Sequence, residues 1–402
     1  GWLDIEPDGQ ATNDKLTETG DGYRTMLSGV YKAMTSANLY GRELQFGIVD
    51  CMSQQYTWAW QSSTGTTSNT IYQEARAFNY YDVKLRETID AIWKDGYNVI
   101  ANANNLIQNI KDEDPAKFAE GELERDMILG EAYACRALMH FDLCRLFAPA
   151  PVENESGNYL PYVDTYPNIQ PDAIDVKTFL NKVVDDFKEA QRLTARVDTI
   201  AIGMSANASA NARFYNQLEY GMEGSPDGMG LDDFFLERGY RLNYYAITAL
   251  LARVYQYMGE DDLAFECADK VMKFQAKGAN GVVYDMFTQD DWYTMIVGDN
   301  NESRTDLKIV SNLIFALYNE DSYLDYNLGT YFLKRSEAQG GNSNWLAVDV
   351  KGQEVFMNVA GIDEKDLDYR YLYLSFKPEY SAFDYSDDYR ISAKWYCSED
   401  ES

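Results

Sequence analysis

The chain has 402 residues and carries 65 acidic against 35 basic side chains, a formal net charge of −30. Such a surface repels phosphate backbones and anionic headgroups, which excludes nucleic acid and electrostatic membrane binding. Hydrophobic residues make up 46% of the chain, enough for a sizeable core, yet the best apolar run, AITALLARVY, is broken by Arg253 and is too short to span a bilayer.

The sequence opens GWLDIEP without Met, so a signal or anchor segment is expected to have been cut away. Helical periodicity then dominates. After Thr19, GYRTMLSGVYKAM reads as an amphipathic helix, and Asp82 to Ile110 as a long second one. About Ala116 to Ala148 gives a third and Val176 to Leu193 a fourth. LNYYAITALLARVYQYM and DDLAFECADKVMKF form a tight pair separated by Gly259 and Glu260. Glycine there takes the left-handed cap, and Asp261 is expected to cap the following helix. Leu251, Ala252, Tyr255 and Ala264 fall at the large, small, aromatic and small positions of a tetratricopeptide unit. The expected fold is mainly α: one domain over 1–402, with a helical-hairpin scaffold at 19–36, 82–148, 176–193 and 241–275. Long polar segments at about 37–75, 150–175, 196–240 and 276–345 are too long for plain connections, so they form small lobes or carry function. EVFMNVA suggests a little strand.

EAYACRALMHFDLCRLFAPAP (Glu131 to Pro151) holds two of the five cysteines and the only histidine. Ala134, Ala137, Leu138, Phe141, Cys144 and Ala148 share one helical face, so Cys144 belongs to the apolar stripe. Cys135 and His140 are five residues apart, on opposite sides of the helix, and cannot chelate one ion. One histidine also excludes HExxH zinc chemistry and any triad needing a second imidazole. Pro149 and Pro151 end the helix. With no CxxC spacing, the cysteines read as mostly buried free thiols.

This stretch resembles the SusD/RagB family of surface glycan-binding lipoproteins of Bacteroidetes, through Glu131, Ala132, Arg136, Ala137, Phe141, Leu143, Phe147 and Pro151. WLDIEP (Trp2 to Pro7) resembles the segment after the family's lipidated cysteine, and RLNYYAITALLARVYQYMGE (Arg241 to Glu260) resembles its Ala-Leu-Leu-Ala-Arg-Val-Tyr helix. Together these cover about residues 2–275. The family usually continues past an Asp-x-Arg element, here Asp388 to Arg390, into a last helical hairpin; this sequence ends at Ser402. The resemblance implies a non-enzymatic protein on the outer face of the outer membrane, held by an N-terminal lipid anchor. It would pass glycans to a SusC-like TonB-dependent transporter, with tetratricopeptide pairs as scaffold and loops as ligand site.

Sugars present apolar C–H faces ringed by hydroxyls, so their sites combine aromatic planes with amides and carboxylates. DCMSQQYTWAWQSSTG (Asp50 to Gly65) has that chemistry. In an extended segment Trp58 and Trp60 project from one side, with Asp50, Gln54, Gln55 and Tyr56 close by and Tyr72 following. QDDWYTM supplies Asp291, Trp292 and Tyr293, and Trp345 is a third candidate. The competing reading is that these rings pack the loops onto the helices. Covering half of a Trp's ~200 Å² at ~25 cal/mol per Å² is worth roughly 2.5 kcal/mol, below the ~4 kcal/mol that association costs at the least. Binding therefore needs two or three platforms and should strengthen with oligosaccharide length. No cofactor is expected. Asp227, Asp232 and Asp233, and Asp299 and Glu302, are acidic enough for calcium, but neither set has EF-hand spacing, and solvated loop carboxylates are the plainer reading. Two other functions fit parts of the pattern: an all-helical glycoside hydrolase, which needs two carboxyl groups about 5–9.5 Å apart across a cleft, and a tetratricopeptide adaptor, which would keep its aromatics buried.

Overall fold

The computed structural model describes residues 10–62, 70–168, 171–215, 232–277, 281–287, 312–332, 342–356, 358–359, 361–377 and 389–395. In chain order the main helices are α1 (Gln10–Leu16), α2 (Gly20–Met34), α3 (Ile48–Met52), α4 (Ile71–Arg76), α5 (Val83–Ile110), α6 (Gly121–Phe147), α7 (Val176–Asp198), α8 (Ala201–Asn207), α9 (Ala210–Tyr215), α10 (Tyr244–Met258) and α11 (Asp261–Met272). The strands are short: β1 (Thr57–Ser62), β2 (Asn158–Pro161), β3 (Ala173–Asp175), β4 (Gln275–Lys277), β5 (Val283–Asp285), β6 (Asn342–Asp349), β7 (Asn358–Val359), β8 (Ile362–Asp363), β9 (Ser375–Phe376) and β10 (Tyr389–Ser392). The chain is mainly α, as expected, and it divides into two compact units. A helical unit comprises residues 1–35, 93–288 and 311–318, and a second unit residues 36–92, 289–310 and 319–402.

Local chemistry sets the helix ends. Thr19 accepts the Gly22 N–H to start α2, Asp82 accepts the Leu85 N–H at 2.8 Å to start α5, and Asn243 accepts the Ala246 N–H to start α10. Gly259 closes α10 at φ +79°, and its N–H reaches the carbonyls of Gln256 and Tyr255. Glu260, not Asp261, precedes α11, and it makes no side-chain cap. Asp261 instead stands in the first turn, where a carboxylate still meets the helix dipole favourably. α7 runs past Leu193 to Asp198, because Arg196 pairs with Glu122 at 3.0 Å and with Asp126, which holds the last turn in place.

In the helical unit α6 packs along α7, and α10 packs on α7 and α11. Residues 126–132, 134–141, 143 and 144 of α6 are all buried, so this helix has no solvent face over that stretch. Gly130 permits the approach: a Cβ there would lie 3.0 Å from the Leu193 Cβ and 3.2 Å from the Ala190 carbonyl. Phe179, Leu180, Val183 and Phe187 of α7 are buried, and each contributes about 1.5–3 kcal/mol.

The second unit contains a four-stranded sheet in the order β1-β6-β10-β9. β6 pairs antiparallel with both β1 and β10, Trp58 standing opposite Leu346 and Trp60 opposite Asn344. Trp345, Leu346 and Ala347 are all buried, because β6 is an interior strand covered on both faces. Within EVFMNVA the described residues are a turn at 354–356 and a short strand, Asn358–Val359, paired to β8.

Candidate functional site

The expected sugar-binding loop begins with a buried carboxylate. Glu43 accepts hydrogen bonds from Arg42 Nε at 2.7 Å, from the Tyr72 hydroxyl at 3.1 Å and from the Ile48 N–H at 3.0 Å. Gly47 lets the chain turn over it, since a Cβ there would lie 2.2 Å from Glu43 Oε2. Arg76 then donates to the carbonyls of Tyr56 and Gln54 at 3.1 and 3.3 Å, fixing the start of β1 against α4. The fixed start leaves Trp58 over Tyr72, with ring centroids 5.9 Å apart and planes at 27°. Tyr331 meets the edges of both, at 5.8 Å from Trp58 and 5.7 Å from Tyr72.

Of the expected platform residues, the structure brings Trp58 and Tyr72 into contact but gives them different roles. Trp58 is half-buried, and its indole N–H is shielded and without an acceptor among the described residues. Tyr72 is only 3% exposed. It backs Trp58 instead of facing the medium, and burial followed by the Glu43 charge lifts its hydroxyl pKa far above the ordinary range. Trp345 is corrected from platform to core, at 1% exposure. Trp60 occupies β1, but its side chain lies outside the described residues, as do Trp292 and Tyr293 entirely. Gln55 is exposed and its N–H donates to the Asp50 carbonyl at 2.9 Å, so the two sit on one tight turn. Asp50 is half-buried; burial pushes its carboxyl up to about 6, against the opposing pull of Lys394. Tyr331 was missed. It is one of 32 tyrosines, and nothing in its local pattern marks it.

The central helix answers the Cys–His question. His140 is fully buried: Nδ1 lies 2.9 Å from the Arg136 carbonyl and Nε2 accepts the Val163 N–H at 3.0 Å, which assigns a neutral ring protonated on Nδ1. The ring stacks on Tyr162 at 3.9 Å. Cys51, Cys135 and Cys144 are buried free thiols, Cys267 is partly exposed, and Cys397 lies outside the described residues. Burial pushes the Cys144 thiol up to about 12, far from a reactive thiolate. Among the described residues no cluster of three His, Cys, Asp or Glu could hold a metal. Of the acids weighed for calcium, Asp232 caps the turn at Phe234 and pairs with Arg24 at 3.1 Å; Asp227, Asp299 and Glu302 lie outside the described residues.

The motif acids and arginines of that helix form buried ion pairs. Glu131 holds Arg238 at 2.6 Å, Arg241 at 2.7 Å and the Tyr31 hydroxyl at 2.6 Å. Asp198 takes Arg238 through two bonds of 2.9 Å, and Asp186 takes Arg136 through bonds of 2.7 and 2.6 Å. Burial alone would raise the Glu131 carboxyl, but Arg241 and Arg238 hold it below its usual range. Every buried carboxylate among the described residues (Glu43, Glu124, Asp126, Glu131, Asp186 and Asp198) has such an arginine partner.

Comparison with known proteins decides what this scaffold is. The SusD-like family model, described as starch-binding associating with outer membrane, matches residues 1–215. The chain belongs to the SusD-like family. A SusD superfamily protein from Bacteroides fragilis aligns at TM-score 0.54 and 16% identity over 94% of this chain and 69% of its own. A SusD-like carbohydrate binding protein from Bacteroides vulgatus aligns at 0.52 and 13%, over 85% and 59%. A SusD superfamily protein from Bacteroides thetaiotaomicron aligns at 0.51 and 21%, over 81% and 59%. At these identities the likeness is one of fold, and this SusD-like chain spans less than two thirds of the length of the latter two. No curated protein matches it. No helix among its described residues is long and apolar enough to cross a membrane.

Proposed function

We propose that this SusD-like chain binds a neutral glycan at the cell surface, without catalysis, and delivers it to a SusC-like TonB-dependent transporter. The protein is held on the extracellular face of the outer membrane by a lipid anchor preceding this chain, and stacked tetratricopeptide-like hairpins of the α10–α11 kind form its frame. The observation that carries the reading is Trp58, a half-buried indole braced by Tyr72 and Tyr331 on a family scaffold. Asp50 in α3, Gln55 after it and Trp60 in the same strand are proposed as further polar and aromatic contacts, and Trp292 and Tyr293 as additional ligand residues. A neutral ligand suits a protein of net charge −30. Hydrolysis ranks lower: a glycosidase needs two opposed acids across a cleft, and every buried carboxylate among the described residues is tied to an arginine.

The test is affinity electrophoresis through soluble starch, β-1,3-glucan, xylan and mannan. Wild type should be retarded by at least one, with no reducing sugar released. Retardation by none would refute binding, and sugar release would refute the absence of catalysis.

A further inference from the structure

The helical unit carries a second aromatic surface that the sequence did not mark. Arg213 is wholly buried and donates to three carbonyls, those of Asn207 at 2.9 Å, Leu313 at 3.1 Å and Met286 at 3.3 Å. Asn243 donates to the Ile314 carbonyl at 3.2 Å, and the Ala316 N–H reaches the Gly239 carbonyl at 2.8 Å. Gly239 is required beneath this surface, because a Cβ would lie 2.5 Å from the Phe214 ring. Three segments distant in sequence, around 213–215, 237–240 and 313–318, are thus fastened together from below. Above them Phe214 meets Tyr240 edge-on at 5.1 Å, and Tyr240 meets Tyr318 edge-on at 5.7 Å. Tyr215 is 51% and Tyr318 60% exposed. The Tyr240 N–H donates to the Glu237 carbonyl at 3.1 Å, and burial, with Tyr215, Glu237 and Tyr318, raises the Tyr240 hydroxyl.

Tyr215 and Tyr318 keep more than half of their surface exposed over a floor that burial and hydrogen bonds make rigid, so that ordering precedes any ligand. Edge-on pairs form a corner rather than a flat patch, and Glu237 is exposed beside it. Phenol planes with hydroxyls and one carboxylate acceptor match a pyranose face and its hydroxyl rim. An anionic ligand would meet Glu237 and the chain's overall negative field.

We propose that Tyr215, Tyr240 and Tyr318, with Glu237 as hydrogen-bond acceptor, form a second glycan-contacting surface, built by the helical unit from segments other than the Trp58 loop. The proposal rests on the reading that the protein binds glycans. It is tested with the polysaccharide from the panel above that retards wild type most. Tyr215→Ala/Tyr318→Ala should weaken retention by roughly tenfold, while Tyr318→Phe, which keeps the plane, stays near wild type. Circular dichroism melts verify that the variants fold. In wild type, tetranitromethane nitration of Tyr215 and Tyr318 should slow when that polysaccharide is added. Wild-type retention by the double variant, with nitration unchanged, would overturn the second surface and leave the Trp58 reading intact. Protection by membranes containing the transporter, but not by polysaccharide, would make it a protein contact and also overturn it. Wild type retarded by no polysaccharide would overturn both.

Discussion

In the helical unit, Glu131, Asp186 and Asp198 lie in the interior, each tied to arginines from segments 40 to 110 residues away in sequence. In the second unit the interior is filled by rings: Phe46 meets Phe332 at 5.1 Å and Trp395 at 5.0 Å, and Tyr56 meets Phe332 at 5.8 Å. Ion pairs of that geometry leave little freedom, because a guanidinium displaced from its carboxylate is stranded without water. Ring contacts are weaker individually and tolerate small shifts. The helical unit is therefore the more exactingly specified part, and the ring-packed unit is where a partly open indole can persist on an edge strand.

The largest expected effect tests that contrast directly. Glu131→Gln leaves Arg238 and Arg241 without their shared countercharge and should lower unfolding free energy by about 3–5 kcal/mol in urea titration. Glu43→Gln in the second unit should lower it by only about 1–3 kcal/mol, since its partner Arg42 remains 20% exposed to water. Equal losses would mean that the two interiors do not differ in this way. Next comes Trp58→Ala, which should weaken glycan retention by about 2 kcal/mol, roughly thirtyfold. Tyr72→Phe keeps the ring that backs Trp58 and removes only the bond to Glu43, so binding should hardly change. A binding loss as large as that of Trp58→Ala would show that the hydroxyl, not the plane, matters.

The sequence made the helical frame legible because helix ends are written locally: Thr19, Asp82, Asn243 and Gly259 each act within four residues of themselves. The buried pairing was not legible. Nothing near Glu131 names Arg238 or Arg241, and a helical wheel drawn for α6 gives it one apolar face where the fold buries every side. The site was half legible for the same reason. Trp58 stood out as an indole in a polar loop, but Tyr72 turning inward depends on Glu43, and Tyr331 arrives from far along the chain. Trp345 looked like an exposed platform only because its place in an interior strand depends on β1 and β10.

Acid should act on the helical unit through His140. Burial, reinforced by Arg136 and Lys182, holds this imidazole well below its ordinary value, so it stays neutral in the fold. Below about pH 6.5 the unfolded chain takes up a proton that the fold refuses, and stability should fall by about 1.4 kcal/mol per pH unit from this group. Asp50 in the second unit works the other way. Its carboxyl, at about 6 when folded and 3.8 when free, binds its proton more readily in the fold, so falling pH favours the folded state across that window. Comparing wild type with His140→Gln between pH 7 and 5 isolates the histidine: the variant should show the flatter profile. Parallel profiles would mean that His140 titrates in the fold as it does in water.

The smallest expected effect concerns the hinge of the α10–α11 hairpin. Gly259 sits at φ +79°, and a Cβ built there meets nothing within 4 Å. Gly259→Ala should therefore destabilise through backbone strain alone, by about 1 kcal/mol, visible as a small drop in melting temperature. Gly259→Asn should recover part of it, because asparagine tolerates the left-handed region. Gly130→Ala offers the opposite case in the same unit: its backbone is helical and alanine favours helix by up to ~1 kcal/mol, yet its methyl would press on Leu193 and Thr194 at 3.0 and 3.1 Å. If Gly130→Ala were the more stable of the two, α6 and α7 would have slack to give, and the description of this interior as tightly specified would have to be confined to its ion pairs.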